Sequence, residues 1–189
     1  MMETAATTRL PLTEAHLERY FEMAQQRHTA KVMEGLLPYW RNPDALWLMA
    51  NALYDDPAFR HRALRWLLRA MRGRPPLDPM TFKIADCYTN GWGTPVNLLR
   101  AYEWLLIPAR AGSPEAMFEL GLLELAGLSV PINHIRAAMW FNLTAAISED
   151  PDLLDRAQAQ REALVPHVSW EEAIRSYDMG IAWLRNGAC

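Results

Sequence analysis

Cysteine is scarce in this chain of 189 residues: Cys87 and Cys189 are its only two. Two thiols make no disulfide framework, so a packed core has to hold the fold. Long apolar runs are missing as well. The longest extend over only a few residues, far short of the roughly 20 that a membrane-spanning helix needs. The N-terminus, MMETAATTRLPLTEAHLERYF, carries Glu3 early and lacks an apolar centre, unlike a secretory leader. Together these absences make a reducing cytoplasm the expected compartment and membrane insertion unexpected.

Chemistry is thinly represented too. The five histidines show no metal-ligand spacing with one another or with cysteine. No glycine loop is suited to cradling phosphate. Paired carboxylates such as Glu171–Glu172 and Asp152–Asp155 fall in predicted first helical turns, where the helix dipole favours negative charge. Cys87 reads as a packing residue. The sequence therefore predicts no catalytic residue, no metal and no cofactor, and a chain that is not an enzyme.

Strand signals are nearly absent, and helix punctuation takes their place. A capping residue directly precedes proline at Asn42-Pro43, Asp56-Pro57, Asp78-Pro79, Ser113-Pro114 and Asp150-Pro151. The cap side chain accepts a bond from an early helix N–H, and proline at the first helical position gives up only an N–H with no partner. Ser169 with Glu172 forms a capping box, and Thr13, Asn97 and Asn133 are further caps. Ten helices are predicted, near 13–24, 28–37, 43–54, 57–72, 79–90, 97–110, 114–126, 133–148, 151–164 and 170–185. Pro108 is expected to kink or end its helix early.

The chain also repeats itself. A shift of 36 residues aligns Ala85 with Gly121, Gly91 with Gly127, Asn97 with Asn133, Arg100 with Arg136, Ala101 with Ala137 and Trp104 with Trp140. Small residues let two helix backbones approach, and a tryptophan one turn on fills the space between them. A degenerate copy, RALRWLLRAM, places Trp66 similarly. One such hairpin cannot bury its apolar stripe alone, so copies stack. Trp66, Trp104 and Trp140 are expected in equivalent buried places.

GWGTPVNLLRAYEWL and LGLLELAGLSVPINHIRAAMWFNLTAA resemble Sel-one-like repeats, short relatives of tetratricopeptide repeats. Tyr88, Gly91, Gly93, Arg100, Ala101, Trp104 and Gly112 match in one unit. Leu120, Gly121, Gly127, Val130, Arg136, Ala137, Trp140, Ala145 and Ala146 match in the next. VSWEEAIRSYDMGIAWL resembles the closing helix of such arrays. Glu124 departs from the pattern where tyrosine is usual, and Ser129 where a second glycine is. The paired cysteines of the family's secreted branch are missing. The resemblance covers 79–185, is weak over 43–78 and is absent before that; with the helix punctuation it leads to the expectation of an all-α, right-handed α-solenoid of about five antiparallel helix pairs in one domain spanning 1–189. Within it, 1–42 forms an N-terminal cap, 43–78 a degenerate repeat, 79–112 and 113–149 repeats, and 150–189 capping helices.

The resemblance further implies a non-enzymatic scaffold or adaptor holding a protein or peptide. A toxin or effector bound by its cognate immunity or chaperone protein is a sharper variant, known among small bacterial arrays. The net charge of −3 hides segregation: residues 57–112 carry +6 and residues 113–189 carry −6. RHRALRWLLRAMRGR, Arg60 to Arg74, has six arginines and no acid. At 100° per residue, Arg62, Arg65, Arg69 and Arg72 fall within about 80° of one another, leaving Ala63, Trp66, Leu67 and Ala70 to pack. This stripe is either a solvated face paired to neighbouring acids or a docking surface for an acidic partner. Lys83 and Trp92 are the further candidate contacts. Trp92 either anchors a partner or folds back over a loop, and Phe118, Leu122 and Leu125 either line a groove or pack between repeats. Nucleic acid, bound through the basic helix 57–72, is the alternative partner, disfavoured by the overall acidity.

Overall fold

The structure, a computed structural model, describes residues 12–72, 79–127 and 132–186. It is all-α: the described residues form ten α-helices and three short 3-10 turns, with no strand among them. The chain divides between Ala70 and Met71 into two compact units.

The first unit contains α1 (Glu14–Gln25), α2 (Thr29–Leu36), α3 (Pro43–Asp55) and α4 (Ala63–Ala70). Asn42 opens α3 as predicted, its side-chain oxygen accepting from the N–H groups of Asp44 and Ala45 with Pro43 following. Most of α3 is apolar, and it packs against α1, α2 and α4. Leu46, Met49 and Leu53 are buried there beside Val32 and Leu36 of α2 and Leu67 of α4.

The helix predicted over 57–72 is shorter than expected. Residues 60–62 form a 3-10 turn, and α4 starts only at Ala63. Asp56 explains the difference. One carboxylate oxygen accepts from the Thr29 hydroxyl at 2.7 Å and the other from the Ala58 N–H at 3.0 Å, so the residue ties a turn to α2 and opens no helix. The Thr29 bond holds its carboxyl below the usual aspartate range. The expected cap at Asp78 lies outside the described residues.

The second unit contains α5 (Met80–Asn90), α6 (Leu98–Arg110), α7 (Pro114–Ala126), α8 (His134–Ile147), α9 (Pro151–Leu164) and α10 (Trp170–Asn186). Ser113, Asp150, Asn97 and Asn133 all cap helices with their side chains. Both bonds of the Ser169–Glu172 capping box are present. Pro108 does not end α6 early; the helix runs on to Arg110. Its carbonyl then accepts from the N–H groups of Ala111 and Ser113, so the final turn closes around the proline.

The 36-residue period is visible in the backbone. Asn97 donates its N–H to the Tyr88 carbonyl at 2.8 Å, and Asn133 donates to the Glu124 carbonyl at 3.3 Å. Tyr88 and Glu124 are equivalent under the same shift. Gly91 and Gly127 end α5 and α7 with φ of 74° and 61°, the left-handed conformation glycine adopts freely. Gly121 has a steric duty as well: a Cβ there would sit 2.6 Å from the Phe141 ring.

The three tryptophans are not equally buried. Trp140 is fully enclosed, with Trp183 of α10 edge-on at 5.2 Å between ring centroids, whereas Trp66 and Trp104 stay partly exposed. The difference comes from the lid that α10 lays over Trp140. Cys87 is buried in the core, as expected of a packing residue. Phe118 is buried with Phe141, Leu153 and Leu164, and Leu122 and Leu125 pack against that cluster. The α7 stripe is therefore interior surface between helices and not an open groove.

Candidate functional site

Arg62, Arg65 and Arg69 all lie exposed at the α4 helix, while Ala63, Leu64, Leu67 and Ala70 face inward. Arg60 is set apart, folded back so that its Nε donates to the Tyr54 carbonyl at 2.7 Å. The Arg69 guanidinium stacks on the Trp40 ring at 3.9 Å from the centroid, and that of Arg62 lies 6.0 Å from the Phe59 ring. Such contacts orient a guanidinium without neutralising it. Arg72, just beyond α4, is exposed and belongs to the second unit. Among the described residues none of these four arginines is ion-paired to a carboxylate. Lys83, on α5, and Trp92, in the turn after it, are both half-buried. Trp92 donates its backbone N–H to the Cys87 carbonyl at 2.9 Å. The six predicted contacts therefore divide between the two units.

A polar cluster inside the second repeat escaped the sequence reading. Glu124 of α7, noted only as a departure from the tyrosine pattern, is fully buried. Its Oε1 accepts from the Tyr102 hydroxyl at 2.8 Å and pairs with Arg136 Nη2 at 2.9 Å; the same nitrogen donates to the Tyr102 oxygen at 2.5 Å. The equivalent arginine one repeat earlier, Arg100, instead pairs on the surface with Glu103 at 3.1 Å. Replacing tyrosine by glutamate has thus turned the repeat's arginine inward. Burial, the bond to Glu124 and that carboxylate's charge push the Tyr102 hydroxyl up to about 12, with Arg136 opposing. This cluster braces α6, α7 and α8, with Glu124 Oε2 and Arg136 Nε buried in it and making no hydrogen bond.

The third feature is on α10. Its inner face turns Ser176, Gly180 and Trp183 toward α8, and its outer face carries Trp170, Ile174, Tyr177, Ile181 and Leu184. Trp170 is 79% exposed and the other four between 46% and 52%. Both α9 and α10 pack on α8, and a cleft of about 470 Å³ lies among the three helices. Asn142 and Ser176 join across its floor at 3.2 Å, and Arg161 donates to the Tyr177 hydroxyl at 3.1 Å. The spacing of that outer stripe was available in the sequence. Which of the helix's two apolar faces stays outside was not.

The rings of His134 and His167 lie tilted by 34° with centroids 5.1 Å apart. Among the described residues no group of three histidine, cysteine, aspartate or glutamate side chains is placed to hold a metal. No described helix is long and apolar enough to cross a membrane.

The sequence model described as Sel1 repeat matches residues 80–113 and 114–146. These are the α5–α6 and α7–α8 hairpins. No curated protein matches the chain. Among solved structures, a Sel1 repeat protein from Oxalobacter formigenes superposes with a TM-score of 0.59 at 20% identity, over 87% of this chain and 69% of that one. A protective antigen of uropathogenic Escherichia coli strains displaying an SLR fold gives a TM-score of 0.58 at 15% identity, over 90% of this chain and 40% of that one. At such identities the likeness shows the fold.

Proposed function

Because residues 80–113 and 114–146 match Sel1 repeats, and such repeats generally mediate protein–protein interaction, we propose that this chain is a non-enzymatic scaffold that holds an acidic protein or peptide. The observation that carries the reading is the set of exposed arginines at Arg62, Arg65 and Arg69 in the first unit, with no carboxylate on them among the described residues; Arg72, in the second unit, is likewise exposed and without one. A solvated structural face would be expected to pair with neighbouring acids. Guanidinium groups left free and partly oriented by aromatic rings suit forked bonds to a partner's carboxylates. In the second unit, taken by itself, Lys83 and Trp92 are the candidate contacts. An immunity or chaperone role, in which the partner is an effector held inactive, is the finer form of the same proposal.

The test is affinity capture from the native host with the wild-type chain beside an Arg65→Glu, Arg69→Glu variant, followed by salt titration of whatever is captured. Loss of a protein ligand in the variant supports the proposal. Equal capture by both forms removes the arginines from the interface. A nucleic-acid ligand whose log affinity falls steeply and linearly with log salt would favour the alternative partner class.

A further inference from the structure

We propose that α10 is a self-association surface, through which two copies of this chain pack antiparallel along Trp170, Ile174, Tyr177, Ile181 and Leu184. The spacing of that stripe alternates four and three residues over the helix. That is the seam period of paired helices, so the shape of the missing cover is a helix. All five side chains are large, apolar and exposed. From their fractional exposure they offer roughly 600 Å² per copy, taking side-chain areas of order 150–250 Å² for the aromatics. A stable pair of proteins buries about 800 Å² per partner, so the stripe supplies most of what a dimer needs.

Charge selects the second copy and its direction. One margin of the stripe carries Glu171, Asp178 and Arg185, all exposed, and the other carries Ala173 and Gly180 of α10, with Arg161 and Glu162 of α9 lining the cleft beside it. Antiparallel pairing brings charged margins together, so that Glu171 meets the second copy's Arg185, and symmetry makes that pair twice. Asp178 then meets its own counterpart near the two-fold axis, a local repulsion that the arrangement has to carry.

Sedimentation equilibrium of the full chain tests this. The wild type is expected to dimerise. Ile174→Asp and Ile181→Asp should each weaken the dimer at least a hundredfold with an unchanged circular dichroism spectrum. Glu171→Arg alone and Arg185→Glu alone should each weaken it about tenfold, and the two combined should restore it to within about threefold of wild type. Asp178→Asn should tighten it. A wild type that stays monomeric at its highest soluble concentration overturns the proposal, as does a combined charge swap no better than either single change. If the isoleucine variants misfold, the charge variants decide alone, since both residues are exposed. The Arg65→Glu, Arg69→Glu variant should dimerise as wild type does, which keeps this outcome separate from that of the scaffold proposal.

Discussion

Removing Arg136 strands a buried carboxylate, and the cost can be bounded. In the Arg136→Met variant, Glu124 loses its ion pair while remaining inside the α7–α8 hairpin with only the Tyr102 hydroxyl as a donor. Breaking a buried pair from one side costs about 3–5 kcal/mol. The loss should therefore be about 3–5 kcal/mol at pH 7, read directly by urea denaturation followed by tryptophan fluorescence. Replacing all three partners with apolar groups, as Tyr102→Phe, Glu124→Leu, Arg136→Met, should recover most of the stability, since both buried charges leave together. A loss for Arg136→Met below about 1 kcal/mol, or a triple variant less stable than the single one, would refute the reasoning.

Three further outcomes follow from the same unit. Gly121→Ala would place its Cβ 2.6 Å from the enclosed Phe141 ring, so thermal or chemical denaturation should show a net loss of about 1–2 kcal/mol despite alanine's better helix propensity. Burial and Glu124 raise the Tyr102 hydroxyl from 10.0 to about 12; between those values the unfolded chain loses a proton that the folded chain keeps. Stability should therefore fall by up to about 2.7 kcal/mol as pH rises through that window, by an amount that Tyr102→Phe removes in parallel denaturation curves. The Ser169 N–H holds the Glu172 carboxyl below its ordinary range. Its contribution to α10 is then present above the unfolded value and lost as acid carries pH through the lower folded one, so the acid limb of helicity should flatten in Glu172→Gln.

Local signals were legible in the sequence, and long-range partners were not. Asn42, Ser113 and Asp150 cap their helices because everything a cap needs lies within three residues of it. Asp56-Pro57 has the same local form, but Thr29, 27 residues earlier, takes the Asp56 carboxylate and the helix starts later. The repeat register was readable for the same reason as the caps, since Asn97 and Asn133 close their hairpins onto residues nine positions back. Glu124 could be seen to break the pattern, yet its partnership with Tyr102 spans two helices and required the packed unit to reveal it. On α10 the sequence offered two apolar faces, and the choice fell to whichever fitted α8. Trp183 against Trp140 and Gly180 against Leu143 settled it, leaving Trp170 and Tyr177 outside.

The most direct test of the scaffold reading is photo-crosslinking in the native host with a benzophenone side chain at position 65, beside a control at exposed position 159 on α9. The account predicts a protein adduct specific to position 65, mapped by mass spectrometry to an acidic segment of its partner. Adducts to nucleic acid at position 65, or protein adducts equally abundant at both positions, would contradict it.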